Sequence, residues 1–317
     1  MERHNLQAVD VVIVSADMAE MTVDCVTRLD DPAVARVVVV DNASGESAEA
    51  VRSRFDPGVD IVRLADQHGF AAANNRGLTQ GQSPYVLLLN SDILTPAAAI
   101  GTLIAALEDD AGAVAAGGRL VDPETLQTQE GYRPRPFPTL ANFAVILLGI
   151  EEIWPGNPVT RRYHGAAVSD DVISEVQQPA AAALLVRRAD LEAIGGFDER
   201  FWFWFEDSDL LCRLHQRGRI LYVPAAAFRH LGGGTFRRWT KTQRIRSIHH
   251  GILHYGDAHF SRPQRAALGL IALLISAPRI VAFSRRRPQE ARAWRAVAAG
   301  GAALVLGRRV LPIAPGD

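Results

Sequence analysis

Apolar, β-branched runs recur at 9–15 (VDVVIVS), 36–41 (RVVVVD), 59–64 (VDIVRL) and 85–90 (YVLLLN). Stretches of helical or turn character follow them near 18–29, 46–55, 70–80 and 96–109. Short continuous apolar runs alternating with helical segments predict an α/β protein with a mostly parallel sheet covered on both faces. Sheets of that kind bind ligands beyond the carboxyl ends of their strands. Ser15, Asp17, Asp41 and Asp92 stand at or just past such ends.

Later the pattern changes. Residues 121–138 (VDPETLQTQEGYRPRPFP) are rich in proline and polar groups and predict a long loop, a kind of segment that is often functional. Residues 180–201 read as a buried strand, a short helix and a glycine turn; 208–217 as a helix closed by Gly218; 219–224 (RILYVP) as another strand. Between them, RFWFWFEDSDLLCRL (200–214) sets five large aromatics against Glu206, Asp207 and Asp209. Asp207 or Ser208 can cap the helix, and acids suit the positive end of its dipole. That accounts for one or two carboxylates. Acids beside Phe201, Trp202, Phe203, Trp204 and Phe205 lose water, which raises a carboxyl pKa and makes at least one a candidate proton acceptor.

Composition narrows the class. A chain of 317 residues with 48% hydrophobic and 22% charged content is ordinary globular protein, long enough for one large or two ordinary domains. The two cysteines, Cys25 and Cys212, form no metal-type spacing. Together with a polar start that offers no secretory signal, they point to a reduced, cytoplasmic protein. The net charge of −1 hides an asymmetry: residues 261–317 hold ten arginines against Glu290 and Asp317, a net +8, which leaves −9 for the rest. The acidic body does not suit nucleic acid, and only the tail suits an anionic surface.

Several stretches carry candidate chemistry. Thr95 and Pro96 read as the cap and first residue of the next helix, which leaves Asp92 for another role. A carboxylate at a strand end can hold a hard divalent cation, and such a cation binds a diphosphate. Asp41 closes the second strand either as a turn residue or as an acceptor for a nucleobase N–H; Ser44 and Ser47 are the alternative caps there. HGFAAANNRGL (68–78) places Asn74, Asn75 and Arg76 on a small-residue helix start, suited to a nucleotide or to tight packing on the sheet. In FRHLGGGTF (228–236), glycines permit close backbone approach to phosphate, and a neutral His230 could complete a metal site with Asp92. No G-x-G-x-x-G follows the first strand and no G-x-x-x-x-G-K-[ST] occurs, which argues against dinucleotide dehydrogenases and P-loop NTPases. A G-x-S-x-G elbow and zinc spacings are also missing. A glycosidase could use Glu206 and Asp207 but would leave Asp41, Asp92 and His230 without a role.

Taken in order, VVIVSAD, VVVVDNAS, HGFAAANNRG, VLLLNSD, LLVRR, GGFDERFWFWFEDSDL and RHLGGGTF resemble the inverting glycosyltransferases of family 2, most nearly their rhamnosyltransferase-like branch. The resemblance covers roughly residues 9–236. It implies a GT-A fold with a Rossmann-like sheet: a nucleotide-sugar half (1–120), an acceptor and catalytic half (121–240) and a helical C-terminal extension (241–317). It further implies Asp41 as nucleobase contact, with Ser15, Asn75 and Ser91 beside the nucleotide, and Asp92 with His230 at Mg²⁺ or Mn²⁺. Asp207 would be the catalytic base with Glu206 next to it, and Trp204 and Asp209 would meet the acceptor. The implied donor is a dTDP- or UDP-sugar, L-rhamnose or another such as galactofuranose or N-acetylglucosamine. The implied acceptor is a glycan or polyprenyl-linked sugar. Three positions depart from the pattern: Asn90-Ser91-Asp92 in place of a double acid, Gln67 in place of asparagine, and SAD at the end of the first strand. A sugar-nucleotide-binding protein without catalysis is the reading from another class. The basic tail, with its apolar run 266–276, reads as an interfacial contact with the cytoplasmic face of a membrane, or alternatively as a helix packed on the domain or in a homo-oligomer interface.

Overall fold

A computed structural model describes residues 8–16, 19–164, 168–232 and 239–312; Asp17, Gly233 and Gly234 lie outside the described residues. The chain packs as two compact units, one of residues 1–136, 166–197 and 210–237, the other of 137–165, 198–209 and 238–317. Both are assembled from separate stretches, whereas the sequence reading divides the chain consecutively near 120 and 240.

In the first unit the four apolar runs become β1 (Val9–Ser15), β2 (Val34–Asp41), β3 (Val59–Arg63) and β4 (Tyr85–Asn90). They pair in parallel in the order β3-β2-β1-β4. Their runs are continuous because both faces of a parallel sheet are covered, so every position of β1 is buried. Asp10 is the exception in character: inside β1, its carboxylate is held by Arg188 (2.7 Å) and by the amide and hydroxyl of Ser83. The crossovers carry α1 (Ala19–Thr27), α2 (Ala48–Arg52) and α3 (Phe70–Leu78). Small residues Ala71, Ala73 and Gly77 are buried there, and a Cβ on Gly77 would lie 2.4 Å from Val12.

Beyond β4 the sheet continues through β8 (Ala183–Arg187), β6 (Ala113–Val121), β9 (Arg219–His230) and β5 (Ile93–Leu94), with β7 (Ser174–Glu175) also on β9. β8 runs antiparallel to β4 and β6, whereas β6 and β9 are parallel. The strand expected at 219–224 therefore runs on to His230, which pairs with Ile93. Helix α4 (Ala99–Asp109) corrects another expectation. It starts after Ala98 at φ +63° without a side-chain cap, so Thr95 and Pro96 do not begin it. The Thr95 hydroxyl is buried without a hydrogen-bond partner.

The second unit is helical. It includes α5 (Leu140–Leu147), entered through a Thr139–Asn142 capping box, α6 (Ile150–Ile153) and α7 (Pro158–His164). Helices Lys241–His259, Arg262–Phe283 and Pro288–Val305 close the described chain. Its core gathers Phe143, Phe201, Phe205, Tyr255 and Trp294. Helices Arg262–Phe283 and Pro288–Val305 meet backbone to backbone, where a Cβ on Gly269 would fall 2.4 Å from the Gly301 carbonyl oxygen. The apolar run 266–276 is thus part of a helix of 22 residues, long and apolar enough to cross a membrane by length and composition.

Candidate functional site

In the first unit, register decides which side chains meet. Ser15 pairs with Asp41 across β1 and β2, and Val14 with Asn90 across β1 and β4, so Asp41, Ser15 and Asn90 share one carboxyl edge of the sheet. Asp41 is 2% exposed. One carboxylate oxygen accepts the Ser44 amide (3.0 Å), while Oδ2 lies 3.6 Å from Arg63 and has no hydrogen bond. A buried acceptor left open at a strand end suits a ligand N–H. Ser47 caps α2, which removes Asp41 from that duty. Ser15 donates to or accepts from Thr22 at 2.8 Å.

Past the end of β4, Ser91 and Asp92 are buried in the turn into β5. The long loop then supplies what the sequence did not specify. Gln129 donates from Nε2 to the His230 carbonyl (2.9 Å) and presents Oε1 to His230 Nδ1 at 2.7 Å. An amide oxygen only accepts, so Nδ1 carries a proton. Nε2 faces Asp92 Oδ2 at 3.3 Å. A ring lone pair and a carboxylate facing each other at that range suit a shared cation. The distance is near the roughly 3 Å between neighbouring ligands of an octahedral cation with bonds of about 2.1 Å. One imidazole with an ordered tautomer and one carboxylate therefore fit a divalent metal. Among the described residues no group of three such side chains gathers, so these two would be the protein's share. Tyr132 packs edge-on against the His230 ring (4.4 Å). The loop is pinned by Asp170, which accepts from Thr128, Arg133 and Tyr222. Burial would raise the Asp170 carboxyl, but those donors outweigh it and hold the pKa below the usual carboxylate value.

Asn75 holds the backbone of a distant segment. Its amide nitrogen donates to the Phe197 carbonyl and its oxygen accepts the Phe197 amide, both at 2.9 Å. This two-point clamp ties α3 to the backbone at Phe197.

In the second unit the run of aromatics divides. Phe201 and Phe205 enter the core, Phe143 standing edge-on to Phe205 at 5.1 Å, while Trp202, Phe203 and Trp204 stay half-buried. Trp204 and Phe205 both adopt left-handed backbone, at φ +77° and +68°. Side chains at two consecutive positive-φ positions are strained and persist only where surroundings hold them. The turn leads directly into α8 (Glu206–His215). The helix begins at Glu206, ahead of the caps expected at Asp207 or Ser208, and Asp207 Oδ1 instead accepts the adjacent Ser208 amide at 2.7 Å.

The three acids have different environments. Glu206 is buried, and desolvation followed by the charge of Asp207 pushes its pKa up to about 8, against partial relief from the Glu206 and Trp204 amides. Asp209 is 1% exposed and bonded to His259 Nε2 at 2.8 Å. It ties the helix start to the Lys241–His259 helix. Asp207 is half-buried. Of the three it alone combines an accessible carboxylate with a position beside the remaining aromatics.

Known proteins resemble this chain over part of its length. A family model described as glycosyl transferase family 2 matches residues 11–164. The chain is 28% identical over 211 residues to N-acetylglucosaminyl-diphospho-decaprenol L-rhamnosyltransferase of Mycobacterium tuberculosis, covering 61% of this chain and 66% of that protein. It is 27% identical over 199 residues to rhamnosyltransferase WbbL of Escherichia coli, covering 60% and 70%. Among solved structures, the mannosyltransferase PcManGT from Pyrobaculum calidifontis, in complex with GDP-Man and Mn2+, superposes with a TM-score of 0.52 at 16% identity, covering 95% of this chain and 86% of that one. The fold is GT-A. By the order of its motifs, its sheet and these matches, the chain is similar to glycosyl transferase family 2, whose model it matches over residues 11–164.

Proposed function

We propose that the protein is an inverting glycosyltransferase that moves L-rhamnose from a nucleoside-diphosphate donor to a hydroxyl of a lipid-linked sugar. The observation that carries the reading is the buried Asp92–His230 pair, with its imidazole oriented by Gln129 at the carboxyl end of a parallel strand. That is a donor set for the cation that accompanies a diphosphate. The similarity to two rhamnosyltransferases, one named for a decaprenol-linked N-acetylglucosamine, supports the sugar and acceptor class.

In this reading Asp41 accepts a nucleobase N–H through its open oxygen, with Ser15 and Ser91 lining the same strand ends. Asp92 and His230 would hold Mg²⁺ or Mn²⁺, which when bound neutralises charge developing on the leaving diphosphate. Trp204 offers a ring face to the acceptor sugar. Asp207 accepts the proton of the acceptor hydroxyl as that oxygen attacks the anomeric carbon opposite the leaving group; the C–O bond to the diphosphate breaks, and the centre inverts. Glu206, protonated at neutral pH, adds no second negative charge beside it.

The test is single-turnover transfer from candidate nucleotide sugars with Mg²⁺ or Mn²⁺. Asp207→Asn keeps size but removes basicity, so transfer should fall by about 10²- to 10⁴-fold while donor binding persists. Asp92→Ala should weaken metal-dependent donor binding. Metal-dependent donor binding with no transfer or donor hydrolysis by the unaltered protein would identify a non-catalytic binder instead.

A further inference from the structure

The Arg262–Phe283 helix is packed on one side only. Leu268, Ala272, Ile275 and Ser276 are buried, yet just 28% of its most apolar stretch is covered. On the opposite side Leu270, Leu274 and Val281 are 57%, 69% and 79% exposed. At 3.6 residues per turn these three fall within roughly 40° of arc, a stripe about 16 Å long. Arg285, Arg286 and Arg287, all exposed, follow directly at the end of this helix. The segment from 261 to 317 is net +8 in a protein of net charge −1. An apolar stripe ending in clustered cations matches a surface that is apolar below and anionic above.

We propose that this side of the Arg262–Phe283 helix docks on an anionic lipid bilayer, lying along it and not across it. The inference stands apart from the glycosyl-transfer reading. Charge complementarity selects the occupant: a second copy would bring its own arginine cluster toward this one, whereas anionic headgroups neutralise it. Packing selects the orientation. The buried side of the helix is engaged by Pro288–Val305, whose Arg292 and Arg295 are exposed, so the pair cannot be surrounded by hydrocarbon.

The test is co-sedimentation of the full-length protein with phosphatidylcholine vesicles with and without phosphatidylglycerol. Binding should require phosphatidylglycerol and be released by high salt. Arg285, Arg286 and Arg287 together changed to Gln should weaken binding by about 100-fold, near fivefold for each arginine. Leu274→Asp with Val281→Asp should abolish it while leaving circular dichroism and melting unchanged, because both positions are exposed. Resistance to salt and to alkaline carbonate extraction would show a spanning helix and overturn the proposal. So would unchanged binding of both variants, or vesicle-independent self-association that the Asp variant abolishes, which would name a second copy as the occupant.

Discussion

The left-handed turn before Glu206 is held open by an absent methyl group, and adding it gives a sharp prediction. A Cβ on Gly251 would lie 2.4 Å from the Trp204 carbonyl oxygen, 3.2 Å from its carbonyl carbon and 3.1 Å from a Phe205 ring carbon. Two of those atoms are backbone, so no side-chain rotation relieves the contact. Bringing the oxygen to about 3.4 Å, the lower edge of ordinary carbon contacts, needs a shift of roughly 1 Å at the turn that aims Glu206 and Asp207. Overpacking of this kind costs about 1–3 kcal/mol. Exchange of a helical glycine for alanine returns about 1 kcal/mol. Gly251→Ala should therefore lose only about 0–2 kcal/mol in urea unfolding. A displacement near 1 Å at a reacting group can cost about 100-fold in rate, so kcat should fall far more than stability. Donor KM should hold, since the donor contacts proposed above belong to the other unit. Gly256→Ala is the control: it lies in the same helix, but its Cβ would meet the end of the Leu268 side chain, which can move. If Gly251→Ala kept kcat within twofold while folded, close packing against Trp204 would not be what holds the turn, and the argument from strain would fail.

Other consequences can be checked separately. Gln129→Leu removes the acceptor that fixes the His230 tautomer, and metal-dependent donor affinity measured by calorimetry should drop about 10- to 100-fold; no change would confine Gln129 to holding the loop. Glu206 has a folded pKa raised from 4.5 to about 8, so its contribution is fully present below pH 4.5 and is lost as pH rises through about 8. Between those values it costs roughly 1.4 kcal/mol per pH unit, and Glu206→Gln should flatten that decline in urea unfolding. Burial depresses His249 and His254 to about 4 and His250 to about 3 from 6.5, so their stabilisation is present above pH 6.5 and lost as pH falls through 4 to 3. His250→Leu should shift the acid unfolding midpoint downward. Arg188→Met strands the buried Asp10 carboxylate and should cost about 3–5 kcal/mol, with Asp10→Asn in the same chain restoring part of it.

The sequence by itself determined the N-terminal, parallel half of the sheet. β1, β4 and the second half of β2 are buried on both faces, and such strands must be written as continuous apolar runs, so their pattern is visible without the fold. It also determined where chemistry could sit, because polar residues at the ends of those runs fall on the carboxyl edge in any parallel arrangement. β6 escaped the same reading. Ala113–Val121 is built of small residues, since Cβ atoms on Gly117 and Gly118 would strike Pro179 and Phe228, neighbours brought there only by folding. The start of α4 was misplaced because a left-handed Ala98 has no local signature. The acids were legible as a group, but their division was not. Composition sets three carboxylates beside aromatics; packing decides that Glu206 loses water, that Asp209 meets His259, and that Asp207 stays accessible. His230 was a candidate from its glycines, yet its proton is placed by Gln129, 101 residues earlier. Local sequence encodes periodicity and strand ends, whereas tautomer, desolvation and strain depend on groups distant in the chain, so only the tertiary structure could decide them.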